Sequence, residues 1–488
     1  MVKYLILVAF FASMIIVGIF TRKSVKTTDD FIIGGRKMGP WLSGFSYVTT
    51  YFSAVIFVGY AGRFGWGFGL SATWIGIGNA LIGSLFAWVL LAERTRRMTT
   101  EMGVATLAEF FYKRYDSKMM EKAAAVIIFV FLIPYSASVY QGLGYIMQIF
   151  FAGTFMENIN VSMFVMALIT AIYVFFGGYI STAVNSLIQG VIMMGGVVII
   201  FIRILNVLGG LKNGILTLSN ISAAGVPAGS LVSAGGPQIY TLVVLILMTS
   251  FGTFGLPQMI SKFHGIKNRD TSRKATIVSV FGAILISGGA YLMGGFSRAL
   301  VETQHITFNT KNLDTLMPAI FQAILSPELM AVLVVLMLSA SMSTLAAVVL
   351  VSAPTFSKTI LKKDGITTIR ILCMLFILVS FLVAVIPSAI VTLMAFSWGA
   401  LSGSFIGPYI WGLYSKRITR IGSWAGMVCG LGTVVVGAGI ALVLTPASAT
   451  SWAPQLAVLA MIVSMVVTPV ASLLTAGKSR IPEGAKFV

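Results

Sequence analysis

Ser250-Phe-Gly-Thr-Phe-Gly-Leu-Pro-Gln-Met-Ile-Ser-Lys-Phe263 closes an apolar run that begins near Ile239. The run is long enough to cross a bilayer, yet Gly252, Gly255 and Pro257 fall within six residues of it. Glycine loosens a helix and an interior proline removes one of its hydrogen bonds, so the spacing predicts a helix broken partway across. An earlier run, Pro40 to Tyr60, carries the same sign. Ser43, Ser46, Thr49, Thr50, Tyr51 and Ser53 crowd its middle, and Gly59, Gly62 and Gly65 follow. Carbonyls freed at such breaks must face a cavity or an ion rather than lipid. Thr49 and Phe52, three apart, could present carbonyls to one point; a straight, tightly packed helix is the other reading of this stretch.

The rest of the chain is written for lipid. Of 488 residues, 58% are apolar and 10% charged, and the mean hydropathy is +0.97. A soluble protein could not cover so much apolar surface. No polar segment exceeds roughly thirty residues, too few for an attached soluble domain. At ~20 residues per span, the chain reads as an all-α membrane protein of thirteen helices. They centre on Leu5–Phe20, Leu42–Tyr60, Leu70–Leu91, Ala123–Phe151, Val161–Phe176, Tyr179–Ile204 and Ile239–Met259. The others are Thr276–Leu300, Met330–Val351, Ile369–Ile386, Ile390–Tyr414, Gly422–Leu444 and Trp452–Leu474. The broken second and seventh spans are thus five helices apart and enter from opposite sides, the pattern of an inverted repeat with a midplane site. The first span is expected to stay in place, since it lacks a small-x-small cleavage site and its basic cluster follows the apolar run.

Loop charge orients this arrangement. With the N-terminus outside, 27 of the 33 Lys and Arg residues fall on the inner side. They include Arg22, Lys23, Lys26, Arg36, the Arg94–Arg97 cluster, Lys262, Lys358, Arg417, Lys478 and Arg480. Only Lys3, Arg63, Arg203, Lys212, Arg298 and Lys311 fall outside. The net charge of +19 therefore reflects topology and not a nucleic-acid partner. Cys373 and Cys429 both lie within spans, which implies no disulfide framework. Leu107, Phe110, Phe111 and Tyr115 recur at helical spacing beside Glu109, Lys113 and Arg114, as expected of an amphipathic helix on the inner membrane surface.

Within the ninth span, Ser339-Ala-Ser-Met-Ser-Thr344 sets three serines and a threonine in lipid with no charge. Ala340, Ser343 and Thr344 share a helical face. Two hydroxyls and a carbonyl on one stripe suit a small hard cation, and they equally suit close helix packing. None of the fourteen carboxylates falls in the middle of a span, and His264 and His305 are read as loop residues. A proton relay through the membrane is therefore missing. So are a phosphate loop, a paired-carboxylate metal motif and a nucleophile–base pair, and an enzyme is not expected.

The motifs resemble the sodium:solute symporter family, which spans sodium/proline, sodium/pantothenate and sodium/sugar types. The matching residues are Asp30-Phe-Ile-Ile-Gly-Gly-Arg36, Thr106-Leu-Ala-Glu-Phe110, Arg114-Tyr-Asp-Ser-Lys118 and Gly177-Gly-Tyr-Ile-Ser181. Gly255-Leu-Pro-Gln258, Met342-Ser-Thr344, Phe405-Ile-Gly-Pro408 and Gly412-Leu-Tyr414 complete the set, in order along the chain. The resemblance implies a leucine-transporter-type fold with a five-plus-five inverted repeat. Its parts would be residues 1–38 (first helix and inner loop), 39–210 (first repeat), 237–415 (second repeat) and 416–488 (two further helices and an inner tail). It places a sodium ion on the carbonyls of Thr49, Phe52 and Ala340 and the hydroxyls of Ser343 and Thr344. A solute is implied at the two breaks, with Tyr51, Ser53, Tyr135, Gln141, Phe254 and Pro257 as candidate contacts. Ser186 stands where many members carry Asp, and Tyr51 replaces the Asp of proline-type and the Asn of sugar-type members. Ile56, where sugar transporters place a polar residue, argues against sugar, and Thr50–Ala54 with Gly255–Pro257 look closest to the pantothenate type.

The expectation is sodium-coupled uptake of a small organic solute, of pantothenate or proline type, across the plasma membrane by alternating access. The C-terminus would be cytoplasmic, and no obligate protein partner is evident. The alternatives are a proton-coupled or uncoupled carrier on the same fold, and a transporter-like channel or sensor.

Overall fold

The computed structural model describes residues 2–21, 27–223, 225–386, 388–476 and 482–488, which form helices and connections with only isolated β-bridges. Arg22, Lys23, Lys26, Lys478 and Arg480 of the charge pattern lie outside the described residues. Nine helices among the described residues are long and apolar enough to cross a membrane, and ten if the bent seventh span is counted.

In chain order the main elements begin with α1 (Val2–Thr21) and α2 (Pro40–Tyr51). They continue with α3 (Ile56–Met102), α4 (Lys118–Phe150), α5 (Ile159–Ile172) and α6 (Gly178–Val207). Next come α7 (Ile239–Phe251) and α8 (Pro257–His264), then α9 (Arg269–Gly295) and α10 (Pro327–Leu361). The last are α11 (Ile366–Ala384), α12 (Ile390–Tyr414), α13 (Arg420–Leu444) and α14 (Ser448–Thr475). The first and fifth expected spans fall on α1, a helix of 20 residues, and on α5, whose helical path runs on to the kink at Gly178. The second and third share α2 and α3. Here α3 turns at Gly69, whose φ of 61° and ψ of −137° only glycine adopts readily. Gly178, at φ 58° and ψ −168°, divides α5 from α6 in the same way.

Both sequence-read breaks are present. Proline at the first turn and Gly39 ahead of it start α2. It ends where Phe52 turns extended, at φ −111° and ψ 119°. After α7 a short 3₁₀ turn, Gly252–Phe254, leads to an extended Leu256, and α8 departs at 41°. Close glycine contacts hold α3 against α9: a Cβ on Gly65 would lie 2.1 Å from the Gly294 carbonyl carbon.

At the centre stands α10. Ser326 caps its first turn by accepting from Leu329 N–H, with Pro327 next. Its apolar stretch is 94% buried, against 22% for α13, so α10 is the axis of the bundle and α13 its rim. A helix apolar on every side belongs in such a place.

Two expectations are corrected. Leu107–Tyr115 forms its helix, with Thr106 and Glu109 in a reciprocal capping box, but it does not simply lie on a surface. Leu107, Phe110, Phe111, Arg114 and Tyr115 are all buried against the end of α12. Arg114 donates to the carbonyls of Gly412 (2.9 Å) and Ser415 (2.7 Å), the end of a helix where a cation is favoured. His264 is not a loop residue; it ends α8, is buried, and meets the Ala105 carbonyl at 2.9 Å through Nδ1.

Candidate functional site

Where α2 stops, its last carbonyls lose their helical donors and α10 supplies others. Ser343 Oγ lies 2.9 Å from the Thr49 carbonyl oxygen, and Thr344 Oγ1 lies 3.1 Å from the same atom and 3.2 Å from Thr50 O. Ser343 Oγ also stands 2.9 Å from Ser339 O and 3.0 Å from Ala340 O, and Thr344 Oγ1 stands 3.0 Å from Ala340 O. A hydroxyl has one proton to donate. The carbonyls of Ser339 and Ala340 already take the N–H groups of their own helix, so the two hydroxyls serve chiefly the freed carbonyls of Thr49 and Thr50, and the lone pairs of all these oxygens converge on one place. All of these residues are fully buried. Uncharged oxygens converging from two helices in a dry place are the ligand chemistry of a hard cation.

The first break thus brings Thr49, Ala340, Ser343 and Thr344 together. Phe52 adjoins them at the point where the backbone extends. The carbonyl of Thr50 belongs to the cluster as well and carries no sequence signal, because backbone oxygens are the same in every residue. Ser341 on the neighbouring face of α10 accepts from Ala54 N–H at 3.3 Å, so α10 also ties down the chain where its helix resumes.

Beside this cluster lies a narrow cavity lined by Tyr51, Phe52, Ser53, Tyr60, Asn79, Thr249, Tyr291, Met394 and Trp398, with no charged residue on its wall. Tyr51 spans it. Its ring stacks on Phe52 at 4.3 Å, and its hydroxyl donates to Thr249 O at 2.7 Å, linking the first broken span to the second. Asn79 Oδ1 is 3.0 Å from that hydroxyl, and Asn79 Nδ2 donates to Ser287 Oγ at 3.1 Å. Asn79 opens a π-helical stretch, Asn79–Phe86, whose widened turn frees the Gly83 carbonyl for Tyr47 (2.6 Å) and Thr253 (3.1 Å). Gly83 must be glycine there: a Cβ would sit 2.2 Å from the Tyr51 hydroxyl.

Of the six candidate solute contacts, Tyr51 and Ser53 line this cavity. Tyr135 is buried nearby in α4, and Phe254 packs on Phe251 at 5.7 Å. Pro257 faces a different crevice, with Thr106 and Thr355, and Gln141 belongs to a separate cavity with Arg63 and Lys311. Asn79, Thr249, Tyr291, Met394 and Trp398 were not among the candidates. Asn79 had a readable signal, an amide inside an apolar span; the others did not.

At the Lys311 end, Asn312 and Asp314 open the short Leu313–Ile324 helix, outside the long spans. Asp314 Oδ2 accepts from Ile390 N–H at 3.1 Å, capping α12. Burial pushes the Asp314 carboxyl above its ordinary range, partly offset by that N–H and by the Arg63 charge. At the opposite end Arg36 clamps the chain. It donates to Thr99 O and His264 O, both at 3.1 Å, and to Val104 O.

Comparison with known proteins bears on the family and the fold. The family model described as sodium:solute symporter family matches residues 31–430. A sodium/proline symporter of Staphylococcus aureus (strain bovine RF122 / ET3-1) is 27% identical over 451 residues, covering 89% of this chain and 85% of that protein. Among solved structures, a substrate-bound, outward-open Na+-coupled sialic acid symporter superposes with a TM-score of 0.75 at 16% identity, covering 97% of this chain and 98% of that one. Mhp1, a nucleobase-cation-symport-1 family transporter in a closed conformation, gives 0.57 at 14% identity, covering 94% and 98%. At these identities the structural likeness speaks for the fold.

Proposed function

The chain belongs to the sodium:solute symporter family, and on that footing we propose that it couples inward sodium movement to uptake of a small organic solute by alternating access. It is a multi-pass membrane transporter, not an enzyme. Sodium is cargo here, held on the carbonyls of Thr49, Phe52 and Ala340 and the hydroxyls of Ser343 and Thr344. The observation that carries this reading is the convergence of uncharged oxygens from two helices, where the Ser343 and Thr344 hydroxyls meet the freed carbonyls of Thr49 and Thr50 beside that of Ala340.

An ion there ties the end of α2 to α10. It therefore stabilises whichever state keeps those two helices together, the differential binding that coupling requires. The neighbouring cavity, about 30 Å³ as it stands, takes the solute once it widens, with Tyr51 and Ser53 on its wall and Tyr51 joining both breaks. Thirteen spans in a five-plus-five inverted repeat, residues 39–210 and 237–415, fit the two breaks. The charge pattern favours an outer N-terminus, which puts Arg36 and Lys358 inside and Lys311 outside. Relatives named as sodium/proline symporters and the pantothenate-like motif residues make L-proline and pantothenate the first probes.

Uptake into proteoliposomes under an inward sodium gradient tests the reading. Replacing Na+ with K+ at constant voltage and pH is expected to abolish uptake. Uptake that survives the replacement, or that follows an imposed pH gradient instead, contradicts it and points to the proton-coupled or uncoupled alternative.

A further inference from the structure

A second cavity, of about 460 Å³, lies at the Lys311 end and shares no lining residue with the central one. Arg63, Gln141, Tyr145, Gln148, Lys311 and Asn312 give it its polar character, and no Asp or Glu lines it. Tyr60 faces the central cavity and Arg63 this one, three residues on along α3, so the two follow one another on the same helix. On the same helix Gly59 packs closely on α12: a Cβ there would meet Ile390 at 2.9 Å.

Two side chains in this cavity have polar atoms left over. Gln141 is 5% exposed, and its Nε2 donates to Ala384 O (3.0 Å), Ile386 O (3.2 Å) and Ser388 Oγ (3.1 Å). Those three acceptors fix which way the amide is turned. Its Oε1 is then a buried acceptor without a donor among the described residues. Arg63 Nε is buried and likewise without a partner. Asp314 feels the Arg63 charge but directs Oδ2 to Ile390 N–H, and no ion pair between the two is present among the described residues. Leaving a guanidinium N–H and a buried amide oxygen unmet is costly unless something visits them.

We propose that this cavity is an outer holding site for a small solute that carries a carboxylate together with an N–H or O–H donor. The carboxylate sits toward Arg63 and Lys311, and the donor reaches Gln141 Oε1. Two cations in a recess without acidic residues draw anions from solution. The uncharged wall of the central cavity cannot do this, so capture and transport fall to different places along α3. The proposal rests on the carrier reading above and deepens it by naming the substrate class.

The test uses the full-length protein in proteoliposomes with L-proline and pantothenate as probes. Arg63→Gln and Lys311→Gln are each expected to raise KM about tenfold while leaving the maximal rate within about twofold. Arg63→Lys should recover part of the loss. External choline chloride should raise the wild-type KM and leave that of the doubly substituted protein nearly unchanged. A sodium-dependent melting shift equal to wild type certifies that each variant is folded. An unchanged KM in both single variants overturns the holding site and leaves sodium coupling standing. Equal uptake of L-proline and L-prolinamide by the wild type, or uptake of neither carboxylate probe, overturns the substrate class. Wild-type uptake that ignores sodium, with the KM shifts intact, overturns the coupling and spares the holding site.

Discussion

The two broken spans answer the same problem with different groups. At the second break Thr249 O takes the Tyr51 hydroxyl, Ser250 O shares the Thr253 hydroxyl with Gly83 O, and Gly252 O takes Ser402 Oγ and Gly255 N–H. At the first break the freed carbonyls of Thr49 and Thr50 meet two aliphatic hydroxyls, Ser343 and Thr344, that also lie against carbonyls of their own helix. Uncharged oxygens gathered from two helices in a water-free place suit a cation, whereas an aromatic hydroxyl and a backbone N–H do not. The contrast supports the proposal of an ion at the first break and a joining role for the second.

The largest expected effect follows from removing oxygens at the first break. Ser343→Ala and Thr344→Ala are each expected to raise the sodium concentration for half-maximal uptake by about ten- to a hundredfold, the loss of one contact to a charged partner. Equal sodium curves in both variants would erase the contrast. Gly83→Ala comes next. Its methyl would press on the Tyr51 hydroxyl from 2.2 Å, so the solute KM should rise about tenfold or more, with sodium-dependent stabilisation retained. If sodium stabilisation is lost as well, the two sites are not separable.

At the second break, Ser402→Ala leaves the Gly252 carbonyl with the Gly255 N–H alone and should cost about 1 kcal/mol in stability. The sodium dependence of uptake should not move; a shift there would mean that the second break also serves the ion. The smallest effect concerns Asp314. Its raised carboxyl holds a proton in the folded protein at a pH where the unfolded chain has lost it. That contribution to stability is complete below the unfolded value and fades as pH rises through the folded one. Melting curves of Asp314→Asn should therefore lack this decline from about pH 4 upward. Parallel wild-type and variant profiles would show that the group does not titrate in that range.

What the sequence discloses tracks how local the cause is. The breaks are legible because Gly252, Gly255 and Pro257, and the hydroxyls around Thr49, act on their own helices. The Ser343–Thr344 face is legible because helical spacing is a local rule. The span count is less so. Gly69 and Gly178 take non-helical φ/ψ inside long helical runs, so the number of crossings there depends on how sharply each glycine turns the chain, which sequence does not give. The burial of Arg114 is hidden, since its partners Gly412 and Ser415 lie almost three hundred residues away. The cavity wall is hidden for the same reason: Tyr51 meets Thr249 only after folding, and Gln141, on α4 with Tyr135, faces another cavity.

The account turns on whether the first break holds an alkali ion. Equilibrium binding of ²²Na+ to the purified wild-type protein and to Thr344→Ala measures that directly. Saturable binding to the wild type, competed poorly by K+ and weakened at least about tenfold in the variant, is the predicted result. Saturable binding of equal strength in both proteins would place the ion elsewhere and contradict the account.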